Sequence, residues 1–476
     1  MAQRPRLSTG SRGIGKILIN EGYKYHFNRQ LSECMLWRCW RKDCRSKLKT
    51  NNFNRDDGDP GNITVLDGPD EHNHGHDDAV IEAGEFSNTL KNEVRTDPTK
   101  PVKRVYDQEI SRLHQQGGGD RDIPAFKSVR SAIARIKTKH MPEIPHDIDS
   151  VNVAGEWARC WNGRRFLLHH DNDWGILIFG ADRNLRALNV SNTLYMDGTF
   201  RTAPRPYQQV FTVLGDYHGR VLPLVVALTV NREIAHYRQI IQVLKREVRR
   251  ASNRRWRPNM IVCDFELALI TAVETELPQT NIGGCYFHFN QALWRHVKLL
   301  GLVRAYRQDN RLRKIVRKVM SLGFLPVAIV RNNFRLLLNR NSTRRAIRQY
   351  PTLDDFLFYV ENTYINGQFP IPLWNVYERN MDCRTNNNAE AFHRRWNDQV
   401  QVRHPNLWIL IRHLKDLQAQ TANSIAQMNR GGDPTVRRRK WRNLETRLRR
   451  LKREYEDGDR DASNYWRAVS HLIADF

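Results

Sequence analysis

The order in which hydrophobic periodicity changes after residue 192 limits this chain more than any other feature. Segments 193–196, 209–214 and 222–230 have the apolar, β-branched and aromatic character of buried strands. Residues 215–219, Gly-Asp-Tyr-His-Gly, join the last two as a hairpin. Residues 235–250 then repeat apolar positions at helical spacing, 260–263 reads as a buried strand, 266–277 as a helix and 282–287 as a further strand. Two shorter strand-like segments, 166–168 and 175–179, come before them, and beyond Phe289 almost everything reads helical. Three strands, helix, strand, helix, strand is the order of a mixed α/β sheet covered by helices on both faces.

That topology gathers carboxylates. Asp197 ends the strand 194–196 and Asp264 ends 261–263, two strands that can lie side by side in such a sheet. Glu390 lies in Asn386-Asn387-Asn388-Ala389-Glu390, a helix start with asparagine available as N-cap. Clustered Asp and Glu oxygens suit Mg²⁺ or Mn²⁺, and two such ions about 4 Å apart catalyse phosphoryl transfer. An Asp at a strand end also serves as a turn or cap residue, so the spacing alone leaves both readings open. Glu266, two residues past Asp264, is the alternative second acid. Cys285-x2-His288 reads as a core cysteine and a histidine packed at a strand-to-helix join, or as a group that braces the active site or positions substrate phosphate. His393, about one turn after Glu390, reads as a helix-surface residue or as a phosphate contact. Trp294, Trp374, Trp396 and Trp408 are expected as core anchors between helices, with base stacking as the alternative.

The surrounding motifs add a resemblance. Asp197-Gly198-Thr199-Phe200, Pro204 with Gln209, Leu222-Pro223-Leu224, Tyr237, Asp264-Phe265-Glu266, Gly284-Cys285-Tyr286-Phe287-His288-Phe289 and Arg384-Thr385-Asn386-Asn387-Asn388-Ala389-Glu390 occur in order. Together they resemble the Mutator-like element (MULE) transposase domain over about residues 154–396. The resemblance implies a ribonuclease H-like α/β catalytic domain whose DDE triad falls on Asp197, Asp264 and Glu390. Cys285 and His288 would match the family's C/DxxH signature and, with His393, support the site. The interval of 126 residues between Asp264 and Glu390 fits the family's habit of an all-helical insertion. The implied activity is DNA strand cleavage and strand transfer with Mg²⁺ or Mn²⁺. Asp197 would bridge both ions, and Asp264 and Glu390 would each complete one.

Toward the N-terminus, Cys39 and Cys44 are followed after 27 residues by His72 and His74. Two thiolates and two imidazoles can close a tetrahedral zinc site, and a small domain with little core needs such a staple. Unrelated buried cysteines beside a loop histidine cluster would give the same spacing. Gly22-Tyr23-x-Tyr25, Trp37-Arg38-Cys39, Cys44-x3-Leu48-x-Thr50 and His72-Asn73-His74 resemble a FLYWCH-type zinc finger over residues 10–78. That resemblance implies Cys39, Cys44, His72 and His74 as zinc ligands in a β-rich recognition module. Cys34 and His76 fit no slot, and His76 could replace His74.

The expected segments are therefore a zinc finger at 10–78, a helical linker at 79–153 and the first part of the catalytic core at 154–300. A basic helical insertion at 301–384, a core helix with the third acid at 385–400 and a basic helical C-terminal region at 401–476 follow. Asp56-Asp57-Gly58-Asp59-Pro60-Gly61, Asp97-Pro98 and Gly117-Gly118-Gly119 read as turns or breakers. Charge completes the reading. The chain has 476 residues and a net charge of +26. Residues 295–350 carry fifteen Lys and Arg against Asp309 alone, and 430–453 carry eleven against Asp433 and Glu445. One such run is often a solvated helix face. Two beside candidate metal-binding acids suggest a track for double-stranded DNA, with binding that weakens steeply with salt. Seven cysteines are too few for a disulfide scaffold, and the longest apolar run is half a membrane span. A nuclear transposase acting as a homo-oligomer is expected. A domesticated DNA-binding regulator and a plain metal-dependent nuclease are the alternatives.

Overall fold

A computed structural model describes residues 4–9, 16–54, 63–117, 122–379, 383–385, 387–433 and 439–473. The turn at 56–61, most of the glycine triplet and the Asn386 cap lie outside them, as do residues 434–438 of the second basic run. The chain divides into two compact units, Met1–Glu143 and Ile144–Phe476.

In the first unit β1 (Arg6–Thr9), β2 (Lys16–Asn20), β3 (Tyr23–Gln30), β4 (Cys34–Cys39), β5 (Lys47–Asn51) and β6 (Val65–Asp67) form an antiparallel sheet in chain order. Its apolar cluster is small: Leu18, Tyr25, Met35, Trp37 and Leu48. Helices α1 (Asp78–Thr96), α2 (Val102–Gln115) and α3 (Phe126–His140) pack through a separate cluster around Leu90 and Ile133. Helix α1 stops just before Asp97-Pro98, because the residue preceding a proline disfavours helical backbone.

The second unit is built on a seven-stranded sheet. Its elements begin with β7 (Leu167–Asp171), β8 (Ile176–Phe179), α4 (Asp182–Val190), β9 (Thr193–Thr199), β10 (Gln209–Tyr217) and β11 (Arg220–Thr229). They continue with α5 (Ile234–Ser252), β12 (Met260–Cys263), α6 (Leu267–Glu276), β13 (Asn281–Gly284) and α7 (Tyr286–Leu299). The spatial order is β13-β12-β9-β10-β11-β8-β7. Strand β12 is parallel to both β9 and β13, and every other pairing is antiparallel. The β10–β11 hairpin turns through His218 and Gly219, both at positive φ, as a tight two-residue turn between right-twisted strands requires.

After α7 the chain is helical: α8 (Val303–Gln308), α9 (Asn310–Met320), α10 (Val327–Asn339), α11 (Asn341–Gln349), α12 (Thr352–Val360) and α13 (Ile371–Trp374), then α14 (Asn387–Val400), α15 (Leu407–Asn429), α16 (Arg439–Glu456) and α17 (Ala462–Leu472). One apolar core joins the sheet to these helices, running from Leu168 through Tyr286, Phe334 and Trp374 to Trp466. Trp374, Trp396 and Trp408 are buried and Trp294 is partly so, as core anchors are. Residues 285–287 differ from the strand expected there: β13 ends at Gly284 and Tyr286 opens α7. Their buried partners Tyr286, Phe289, Leu293 and Val297 recur at helical spacing, and a short apolar run does not by itself separate helix from strand.

Candidate catalytic and metal sites

Sheet register brings the first two acids together. In the parallel pair, Met196 of β9 lies opposite Cys263 of β12. The next residues along the two strands are Asp197 and Asp264. Gly198 allows this corner to close: a Cβ there would fall 1.9 Å from the Gln209 side-chain nitrogen. Helix α14 packs on β9 through Ala389, Phe392, Trp396 and Val400, and Trp396 is held by its indole N–H donating to Thr202 Oγ1 at 3.0 Å. Glu390 and His393 lie three residues apart on this helix and both reach the acids.

The contacts are made through imidazoles. His288 Nδ1 pairs with Asp264 and its Nε2 lies 3.1 Å from Glu390 Oε1. His393 Nδ1 lies 3.2 Å from Asp197 Oδ2, and its Nε2 is 3.0 Å from Thr212 Oγ1. His393 is thus turned inward, with a side chain 11% exposed. Asp197 Oδ1 also accepts the Gly198 N–H at 2.8 Å. Cys285 caps α7 at the end of β13, so its x2 spacing to His288 sets both at the helix entry. The Sγ of Cys285, a nitrogen of His288 and an oxygen of Glu390 lie within 4.8 Å of one another. Among the described residues, groupings of metal-ligand atoms this tight do not include all three acids; His288 is the bridge between two of them.

Electrostatics follow from this crowding. Burial alone would lower His288, but hydrogen bonds and charge from Asp264 and Cys285 outweigh it and hold the imidazole up to about 11. Glu390 is raised, first by burial; His288 opposes that shift, and Asp197 and Asp264 add to it. Asp264 Oδ1 and Glu390 Oε1 are buried without a hydrogen-bond partner of good geometry. Buried carboxylate oxygens in that state are suited to a cation. Glu266 is committed elsewhere: its Oε1 accepts from Tyr237 Oη at 3.0 Å, and burial raises its pKa. Glu266→Gln is therefore expected to leave Mn²⁺ binding at this corner close to that of the parent, while Asp264→Asn weakens it. Titration of both variants with Mn²⁺ checks the assignment, and the reverse pattern would make Glu266 the second acid.

The first unit holds the second site. Cys39 Sγ lies 3.3 Å from His74 Nε2, Cys44 Sγ 3.5 Å from His72 Nδ1, and these two ring nitrogens are 3.2 Å apart. All four donor atoms lie within 4.8 Å of one another. The opposite ring nitrogens are engaged: His74 Nδ1 meets Gly75 O at 2.7 Å, and His72 Nε2 meets Tyr25 Oη at 2.8 Å and Ser46 Oγ at 3.1 Å. Such partners fix the tautomer and aim the free nitrogen at a metal. Burial lowers His72, favouring the neutral imidazole that coordinates. The donor set suits Zn²⁺. His76 is exposed, 3.6 Å from Asp78, and neither it nor Cys34 belongs to the group.

Several contributors were not singled out from sequence. Thr212 is one, although a hydroxyl inside the apolar run 210–214 is itself a signal. Ser46 and Asp77 are others. Buried Asp77 holds Arg41 at 3.1 Å and lies 3.8 Å from His74 Nδ1, and no local pattern marks it.

Comparison with known proteins gives two family matches. Residues 193–292 match the MULE transposase domain, and residues 8–74 match the FLYWCH zinc finger domain. A search of curated proteins finds no relative of this chain. Among solved structures the chain is similar to "Drosophila P element transposase strand transfer complex", with 9% identity over 82% of this chain and 91% of that one. The TM-score is 0.21, and so loose a superposition carries no argument. No helix among the described residues is long and apolar enough to cross a membrane.

Proposed function

We propose that this protein is a DDE-type DNA transposase, cutting DNA at element ends and joining the freed ends to target DNA in the nucleus. The observation that carries this reading is the parallel register of β9 and β12, which sets Asp197 beside Asp264 with Glu390 reached through His288. The MULE domain match over residues 193–292 supports a transposase role. A ribonuclease H-like fold is inferred from the five strands β11-β10-β9-β12-β13, antiparallel for the first three and parallel for the last two.

In this reading Asp197, Asp264 and Glu390 would hold divalent metal, Mg²⁺ or Mn²⁺. Bound there, it would supply an activated water and neutralise charge on the leaving oxygen. Water oxygen then bonds to phosphorus at the element end, and the P–O bond to the 3′ oxygen breaks, leaving a 3′-hydroxyl. That hydroxyl attacks a target phosphodiester in line, gives up its proton, and releases a target 3′ oxygen that takes one up. His393 holds Asp197 against Thr212, and His288 spans the other two acids, so both position carboxylates. The zinc finger and the basic helices would supply phosphate contacts. Assembly as a homo-oligomer belongs to the same proposal.

The test is incubation with labelled element-end DNA, target DNA and Mg²⁺. Cleavage followed by strand joining is expected. Cleavage without joining would make the protein a nuclease, and binding with neither would make it a regulator.

A further inference from the structure

Among the described residues, Lys318 is one of the few buried cations. It lies on α9 with only 9% of its surface exposed, and among the described residues it has no ion-pair partner. Its Nζ stands 4.8 Å over the Trp466 ring. That ring is fixed by its own N–H, which donates to Lys318 O at 3.1 Å. Two further cations stand at the same helix. Arg340, between α10 and α11, reaches Ser463 Oγ at 3.4 Å. Arg467 lies one residue beyond Trp466 and one helical turn beyond Ser463, on the same face of α17 as Ser463, with its guanidinium donating to Asn464 Oδ1. Among the described residues Arg340 has no carboxylate partner either. The acid nearest Arg467 in sequence on this helix, Asp461, is spent capping α17 by accepting the Asn464 N–H at 2.9 Å. Burying a cation without a counterion is costly, and repulsion from the two exposed guanidiniums beside Lys318 adds to that cost. Burial first, then Arg340 and Arg467, lowers the Lys318 ammonium to about 8.

We propose that Lys318, Arg340 and Arg467 form a seat for a phosphate group, supplied by the backbone of DNA lying along the basic helices α8–α11. The chemistry fits: the Lys318 ammonium over Trp466, the Arg340 guanidinium at Ser463 Oγ and Arg467 all stand at one stretch of α17, and guanidinium recognises phosphate with paired N–H donors. The surrounding stretch 295–350, with fifteen basic residues against one acid, favours a polyanion over a free ion. The choice of DNA rests on the proposed function; the seat itself does not.

The test uses the full chain. Fluorescence anisotropy with duplex DNA over a salt series gives the slope of log affinity against log salt. Lys318→Met keeps an apolar stem over Trp466 and removes the charge. It is expected to lower that slope by about one phosphate contact, with Arg340→Gln giving the same loss and the double variant little more. Thermal unfolding forms the second arm, with inorganic phosphate replacing chloride at matched ionic strength. A rise in midpoint for the parent that is absent in Lys318→Met, with DNA slopes unchanged, would support the seat and assign it a free phosphate. Unchanged slopes and no phosphate effect overturn the proposal, as does a Lys318→Met that only destabilises while Arg340→Gln binds DNA normally. Cleavage is read in neither arm, so failure here is distinct from failure of the transposase reading.

Discussion

Asp197→Asn should lower Mg²⁺-dependent cleavage at element ends by about a thousandfold or more. Removing a single preorganised electrostatic group from an active site costs about 10²–10³, and this carboxylate is proposed to serve both metals. The substitution is otherwise mild. Asn retains an oxygen to accept the Gly198 N–H that Asp197 Oδ1 accepts at 2.8 Å, and it removes one of the negative charges that raise Glu390. Folding stability should therefore stay near that of the parent. What is lost is charge, including that facing His393 at 3.2 Å. DNA affinity should change by less than about threefold, because phosphate contacts on the basic helices dominate it. Asp264→Asn and Glu390→Gln should fall to a similar floor, and the triple variant should fall little further, since groups acting as a unit are non-additive. Single-turnover rates at saturating DNA and metal measure all of this. Cleavage by Asp197→Asn within tenfold of the parent would remove the triad from the mechanism.

The sequence carried the sheet further than it carried the site. Strands β9 to β12 were legible because each is nearly continuous in buried apolar residues, as strands covered on both faces are. That Asp197 and Asp264 end two of them was visible as well. That they are neighbours depends on β12 entering the sheet beside β9, a long-range pairing that only the order of elements suggested. The entry to α7 was misread because Cys285-Tyr286-Phe287 has strand-like composition, and the buried spacing that marks a helix emerges only over the following turns. His393 shows the limit most plainly. Its interval of three from Glu390 puts both on one side of α14, but which side meets the sheet is set by packing of Phe392 and Trp396. The bridge made by His288 is likewise tertiary: it needs β12, α7 and α14 in place at once. In the first unit the four zinc donors were legible from residue type and motif. Their support by Asp77 was not, because it arises where α1 begins.

Removing zinc should unfold the first unit. Among the described residues its sheet buries the cluster Leu18, Tyr25, Met35, Trp37 and Leu48, with Ile17, Ile19 and Leu36 beside it, too few to hold six short strands. The ligand set joins the end of β4 and the loop after it to the chain beyond β6, which has three residues in the ladder. A structural zinc site contributes about 10–16 kcal/mol of binding free energy at neutral pH, most of which is folding free energy in a small domain. The metal-free cluster is itself unfavourable: burial pushes the Cys39 thiol up to about 11, whereas a bound divalent cation would stabilise the thiolate. Elemental analysis of the parent should give one zinc per chain, and Cys39→Ser close to none. His74→Ala should lose zinc as well, while His76→Ala keeps it, because the His76 side chain is 61% exposed and outside the cluster. On chelation, Trp37 should become exposed, with a red shift in fluorescence and loss of protection of the β3–β5 amides from hydrogen exchange. The second unit has its own core and should keep its unfolding midpoint. Acidification should release the metal from the parent as the imidazoles protonate. A Cys39→Ser protein that retains stoichiometric zinc would overturn the ligand assignment, and a chelated protein with β3–β5 still protected would show that the apolar cluster suffices.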